Sequence, residues 1–473
     1  MSTAAMGVAM LGGRRAFGVG EIGETIDIGA FRPKPAIKIQ GALLREPPPY
    51  WLGWPGKAYD VEGERKRFAG EFDTRAEKVG VALSQREKPV ESEDALQELL
   101  NELGAAKPDA VLLTLQHMSA WKKADAVAQL GMPTIIFAPV GTAFTGHVKE
   151  ISRRPNVHVI SSLEVDAVEQ AFRIVRAKKQ FEQTHLLVLK GEERKEEKLE
   201  NLGTTVKTAP RDLLHEIFNQ IPENEETHAV TESMFKGAER IVEPTGQDGL
   251  NAARSYLAAK QLLVNEGCNA LTTDCLGMVS NRLVPTPPCM AASIFQDAGV
   301  TYGCEADVNG ALSLMLPSYL LDKPGFMNDP VPETAKNLLI VAHCVSGTRL
   351  NGFEEAPEPY RLRSHSESDL GVSLQVIWEP DHPVTLVRFQ SPTELIVDTG
   401  KVVENVDTPP AGGCRTNFEV AMDRVEDVRD VLGFHQVVFY GDHRRDVEAF
   451  CQLSGIEAIH SPEYPPEHMP KET

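Results

Sequence analysis

Glu305, Asp329 and His435 are two carboxylates and an imidazole, each set beside a short apolar run. Glu305 stands in Gly303-Cys304-Glu305-Ala306-Asp307-Val308-Asn309-Gly310-Ala311, between an expected strand end at 302–304 and an expected helix over 311–321. Ligands of open α/β sheets bind beyond the carboxyl ends of strands, and Glu305 falls at such a place. Glu305 or Asp307 also fits as a plain cap of the following helix. Asp329 closes the segment Gly325-Phe326-Met327-Asn328-Asp329-Pro330, where an Asp-Pro turn is the simpler account. His435 precedes the apolar run at 437–440 and His443 follows it. Oxygen-rich ligation with one nitrogen suits Mn²⁺, with Mg²⁺ or Co²⁺ as substitutes. Zinc sites more often show Cys and His clustered at short spacing, a pattern this chain lacks.

The whole chain narrows what such a centre can serve. Its 473 residues imply two to three domains, and 42% hydrophobic with 25% charged residues fits a folded globular protein. A net charge of −20 repels a phosphate backbone, so no nucleic-acid partner is expected. The basic stretch 190–198 is interleaved with Glu192, Glu193, Glu196 and Glu197 and reads as solvated surface. Seven cysteines with no CxxC pair argue for reduced thiols and a cytoplasmic setting. Arg14-Arg15-Ala16-Phe17 has the arginines of a twin-arginine signal, but residues 18–24 bring three glycines and two glutamates where such a signal needs an apolar stretch. No run of about 18 apolar residues exists, so no membrane partner is expected.

The elements that must position these residues fall into three patterns. Residues 1–75, with Pro47-Pro48-Pro49 and the Tyr50, Trp51, Trp54 cluster, read as a loop-rich opening. Apolar runs at 79–83, 110–115, 134–137, 157–160 and 186–189 then alternate with helical spacing at 93–103, 121–130 and 165–178. Strands that are continuous apolar runs with helices between them imply a parallel sheet covered on both faces. A first α/β domain is expected over 76–225, and a second over 226–345 carrying the carboxylates. Its long helix shows a stripe of Ala252, Ala253, Tyr256, Leu257, Ala259, Leu262 and Leu263, with Gly267 as the stop. Past residue 370 the period changes to two: Val372, Leu374, Val376 and Trp378 alternate, and further strand-like runs follow. The expected fold is therefore α/β, two parallel-sheet Rossmann-like domains plus an antiparallel β-barrel-like domain over 346–473 that ends in an α/β segment carrying His435.

At these residues the sequence resembles the L-fucose isomerase family, whose fold L-arabinose isomerase shares. The likeness covers roughly residues 245–460. In that family a Glu at a strand end precedes an Asp and then Asn-Gly before a helix, as Glu305, Asp307 and Asn309-Gly310 do with one residue's difference in spacing. Asp329 occupies the place of the second ligand, and His435 before a strand ending in Gly441-Asp442-His443 that of the third. His343 with Ser346-Gly347 resembles a family stretch loosely. The resemblance implies a metal-dependent sugar isomerase, with Glu305, Asp329 and His435 as ligands and a trimer or hexamer in which a neighbour's N-terminal region helps close the pocket. Gln116-His117-Met118-Ser119-Ala120-Trp121 follows a strand and is the candidate for that role, surface or interface packing being the plain account of His117 and Trp121. The family chemistry is aldose–ketose interconversion through an enediol, on a small-molecule sugar. Glu305 and Asp329 would exchange the proton, one ionised and the other protonated. His343, His365, Arg415 and His443 are second-tier candidates for substrate contacts, and the Ser-rich surroundings of His365 point to solvent exposure. An epimerase or a glycoside hydrolase on the same scaffold, or a non-catalytic sugar-binding protein, remains open, since a fold does not fix a reaction.

Overall fold

The computed structural model describes residues 25–51, 54–407 and 413–462. The Arg14–Phe17 motif lies outside them. The fold is α/β with a closed antiparallel barrel.

The first sheet is wholly parallel and runs Ala82–Gln85, Lys38–Leu44, Ala110–Leu115, Thr134–Pro139, Val157–Ser162 across its width. The strands Ala110–Leu115 and Thr134–Pro139 are buried at every residue, as a sheet covered on both faces requires. The opening over residues 1–75, expected to be loop-rich, instead supplies the strand Lys38–Leu44 and most of the helix Val61–Val79. Both are masked in sequence. Gly41 and Gln40 interrupt the strand's apolar run, and the helix buries only Val61, Phe68, Phe72, Ala76 and Val79 among many charges.

The second sheet runs Tyr302–Gly303, Ala270–Thr273, His185–Leu189, Thr205–Ala209, with Lys195–Lys198 antiparallel at its edge. The strand His185–Leu189 thus lies in the second sheet, ahead of the expected division at 225, and the helix Asp166–Glu182 links the two sheets. The long helix Gly246–Glu266 ends on Gly267 in the left-handed conformation, as its stripe and stop indicated.

Six antiparallel strands close into the barrel: Pro383–Ser391, Gln436–Tyr440, Phe326–Glu333, Leu338–His343, Thr416–Met422 and Glu394–Asn405, which pairs back to the first. Its cluster of buried residues includes Phe326, Trp378, Phe418 and Tyr440, with Trp378 stacked on Phe418 at 4.4 Å. Such a pair adds about 0.5–1.5 kcal/mol beyond its buried area. Asp329 therefore sits on a barrel strand and opens no turn. Its segment was expected in an α/β domain because Pro330, Pro332 and the turn at 334–337 break the period-two signal. No helix among the described residues is long and apolar enough to cross a membrane.

Candidate metal centre

Two architectures meet at one group of side chains. The barrel register pairs Phe326 with Val438, Met327 with Val437 and Asn328 with Gln436. Continued by one step, it sets Asp329 opposite His435. On its other side Asp329 pairs with Ala342, the neighbour of His343. One end of the barrel thus presents Asp329, His343 and His435 together. The second sheet contributes Glu305, two residues beyond the strand Tyr302–Gly303.

His435 Nε2 lies 3.2 Å from Asp329 Oδ1 and 3.3 Å from Glu305 Oε2. Ligand atoms held at about 2.0–2.2 Å by one octahedral ion stand about 3 Å apart, so the spacing suits a shared cation. Glu305, His343 and His435 also offer ligand atoms within 4.8 Å of one another. His435 Nε2, Asp329 Oδ1 and His343 Nε2 are all buried without a hydrogen-bond partner among the protein groups. Buried polar atoms are nearly always satisfied, so these atoms fit a bound cation, or in its absence a proton held between His435 Nε2 and Asp329 Oδ1.

The two histidines differ in what they can offer. His435 Nδ1 is 2.9 Å from Asp307 Oδ2. Asp307 also accepts from Arg388 Nη1 at 2.6 Å and from the Gly310 backbone N–H at 3.0 Å, capping the helix Val308–Leu321. Burial works against its charge, but His435, Arg388 and that N–H outweigh it and hold the Asp307 carboxyl well below the usual range. A permanent anion at Nδ1 keeps a proton there and turns the Nε2 lone pair toward Glu305 and Asp329, the arrangement typical of a metal-ligating histidine. His343 is the reverse. The Cys344 backbone N–H donates to its Nδ1 at 2.8 Å, so the neutral ring carries its proton on Nε2, which assigns it as a donor.

Without a cation, the centre holds its positive charge as a proton. Burial lowers the His435 pKa, but Asp307, Asp329 and Glu305 together outweigh it and push it up to about 11. The backbone is also unusual here. Glu305, Ala306 and His435 all have φ between 52° and 56°, in the left-handed region that costs non-glycine residues energy. Gly310 leaves room for the pair that holds His435: a Cβ there would stand 3.1 Å from Asp307 Oδ2 and 3.2 Å from Arg388 Nη1, and 2.8 Å from the movable Met327 Cε. That gives the Asn309-Gly310 pair a physical role.

The remaining candidates divide. His365 is buried and lines the same small pocket as Glu305, Asp329 and His343, contrary to the solvent exposure expected of it. Its loop folds back, with the His365 N–H bonded to Leu370 O and the ring Nδ1 2.9 Å from Ser368 Oγ. Arg415 is buried and spends Nε and Nη2 on Ser364. It stays outside the pocket wall, to which its neighbour Cys414 belongs. His443 lies at the far end of the strand Gln436–Tyr440, where its ring faces Asp446 and Phe439. The five-residue strand between them spans about 17 Å, so His443 stands at the opposite end from His435 and does not join the group.

His117 and Trp121 line a separate and larger cavity of about 860 Å³ in the first α/β unit, with Glu46, Lys123, Phe144 and His147. Trp121 is nearly buried, donates to Thr142 O at 2.8 Å and stacks on His147. His117 packs against Tyr50 and bonds Ser119, and burial lowers its pKa. Within one chain this cavity shares no lining residue with the carboxylate pocket. Size favours the first and chemistry the second, because of the two only the second is lined by unpartnered ligand atoms, Asp329 Oδ1 and His343 Nε2. Sequence reasoning missed Arg388, Glu367 and the thiols of the pocket wall. Arg388 sits in a plain strand pattern and carried no signal.

No family model matches the chain. The chain is 25% identical over 202 residues to the sulfoquinovose isomerase of Clostridium sp. (strain MSTE9). That match covers 39% of this chain and 44% of that protein, so less than half the relative's length is represented. Among solved structures, a periplasmic solute-binding protein of an ABC transporter from Actinobacillus succinogenes 130z, with bound D-allose, aligns with 54% of this chain and 87% of that one at 12% identity. Its TM-score of 0.17 carries no argument. Over the matched stretch the chain is similar to a sugar isomerase.

Proposed function

We propose that this protein is a divalent-cation-dependent sugar isomerase that interconverts an aldose and a ketose through an enediol. The observation that carries the reading is the His435 imidazole, fixed by Asp307 on one nitrogen and facing two carboxylates with the other. The partial likeness to a sulfoquinovose isomerase supports the same class.

Glu305, Asp329 and His435 would hold the cation, which fits Mn²⁺ best and Mg²⁺ or Co²⁺ next, given two oxygens and one nitrogen. When bound, it supplies Lewis acidity toward a sugar carbonyl. The chain's own groups do the rest. The ionised carboxylate of the Glu305 and Asp329 pair takes the proton from the carbon beside the carbonyl, the protonated one gives its own proton to the former carbonyl carbon, and the hydroxyl proton passes from one sugar oxygen to the other. His435 keeps the ligand geometry and takes no proton. His343, with its proton on Nε2, donates to a sugar oxygen. Asp307 and Arg388 hold His435 in place, and the buried pocket wall excludes water.

His117 and Trp121 act in this reading from a second copy, whose large cavity would meet the carboxylate pocket in a trimer or hexamer. The test is a panel of aldoses and ketoses, sulfoquinovose included, assayed with added Mn²⁺ and followed by metal analysis of the purified chain. Bound metal with aldose–ketose turnover is the expected result. Hydrolysis of aryl glycosides without metal, or binding without turnover, would overturn it.

A further inference from the structure

Five of the seven cysteines, Cys275, Cys289, Cys304, Cys344 and Cys414, line the pocket that holds Glu305 and Asp329. The proposed chemistry uses none of them. Two are in direct contact: Cys275 Sγ and Cys304 Sγ lie 2.9 Å apart, and both residues are buried. They sit just past the ends of neighbouring parallel strands, Ala270–Thr273 and Tyr302–Gly303, whose register pairs Thr272 with Gly303. Their backbones are tied to each other. Ala306 N–H donates to Thr273 O at 2.9 Å, and the Thr272 hydroxyl donates to Cys304 O at 3.2 Å. The Cys344 thiol is engaged elsewhere, with Cys289 and Cys414.

We propose that Cys275 and Cys304 are a modification site, a dithiol that a hydroperoxide closes reversibly to a disulfide, and that closure displaces Glu305. A disulfide holds its sulfurs at about 2.05 Å, so the pair needs to close by only about 0.9 Å. The first sulfur attacks a peroxide oxygen. The O–O bond breaks, water leaves from hydrogen peroxide (an alcohol from an organic hydroperoxide), and a sulfenic acid forms. The second sulfur then attacks the sulfenic sulfur. The S–S bond forms, the S–O bond breaks, and hydroxide departs with the second thiol's proton as another water. The two sulfurs lose two electrons and the peroxide gains them. A dithiol reductant reverses the step by exchange.

The effect on the centre, which rests on the metal reading above, follows from position. Cys304 directly precedes Glu305, and Glu305 and Ala306 are held in left-handed conformations that leave little slack. Functional groups must stay within about 0.5 Å of their working geometry. A shift approaching that size at Cys304 pulls the Glu305 carboxylate away from His435.

The experiment uses the full chain, with hydrogen peroxide as oxidant and Mn²⁺ as probe. After brief oxidation and blocking of the remaining thiols, peptide mapping should find Cys275 joined to Cys304, with a mass loss of about 2 Da that dithiothreitol restores. Calorimetric titration should then show Mn²⁺ bound about tenfold more weakly, or not at all. Cys275→Ser treated in the same way should keep the affinity of the reduced protein. Thiols oxidised without a link between these two, or a link with unchanged Mn²⁺ affinity, would overturn the proposal. Because the mapping uses the unsubstituted chain, a misfolded variant leaves it decided. If the reduced chain binds no Mn²⁺, the metal reading falls, while the mass alone still scores the link.

Discussion

Asp307 and His435 lie 128 positions apart in sequence and share a hydrogen bond of 2.9 Å that fixes which nitrogen of the imidazole faces the two carboxylates. Asp307→Asn keeps the size and the helix cap but removes the anion. The ring should then lose its fixed orientation, and Mn²⁺ affinity should fall about 10–100-fold. Calorimetric titration checks this. Unchanged affinity would show that the ring is held by packing alone.

Glu305→Gln keeps a coordinating oxygen and loses the titratable carboxylate. Turnover should fall about 10²–10⁴-fold, with a smaller loss of metal affinity. Exchange of the sugar's α-proton with solvent deuterium should stop, since no enediol forms. His435→Ala should instead lose metal first and be partly rescued by added Mn²⁺. Normal exchange in Glu305→Gln would remove that residue from the mechanism.

The pH dependence has a definite sign. His435 is raised from 6.5 to about 11 in the folded, cation-free chain. Its contribution to stability is therefore fully present below 6.5 and fades as pH rises toward 11. Metal binding runs the other way, because Nε2 must give up its proton to become a ligand. Mn²⁺ affinity should rise about tenfold per pH unit across the neutral range, with about one proton released per ion. Titrations in buffers of different ionisation enthalpy measure that proton directly. No release at neutral pH would mean His435 is not a ligand.

The second-copy role of His117 predicts complementation. Glu305→Gln and His117→Ala chains, each inactive alone, should regain part of the activity when mixed in one oligomer. Verified mixed oligomers without recovery would place the whole site within one chain.

Much of this was legible in the residues. The long apolar stripe ending at Gly267 gave its helix, and the alternation from Val372 onward gave antiparallel strands. Glu305, Asp329 and His435 were found as residue types beside strand ends, and the structure brings them together. The strand Lys38–Leu44 was hidden because Gln40 and Gly41 break its apolar run. Asp329 was placed in the wrong layer because prolines and a turn hide the strand it rides on. Arg388 and the pocket thiols were invisible for a different reason: they meet their partners through long-range contacts, and no local spacing encodes a partner tens of residues away.

A closed ring of strands also works as an indexing device. Asp329 faces His435 only because each neighbouring strand fixes the count from Phe326 onward, and a ring has no free edge on which a slip can be absorbed. Adding one alanine after Met327 should rotate Asp329 to the opposite face and abolish Mn²⁺ binding. The same alanine in the turn at 334–337 should leave binding intact. Chains built on this plan are then free to differ in the length of their turns, while the number of residues from each strand's start to its ligand stays fixed.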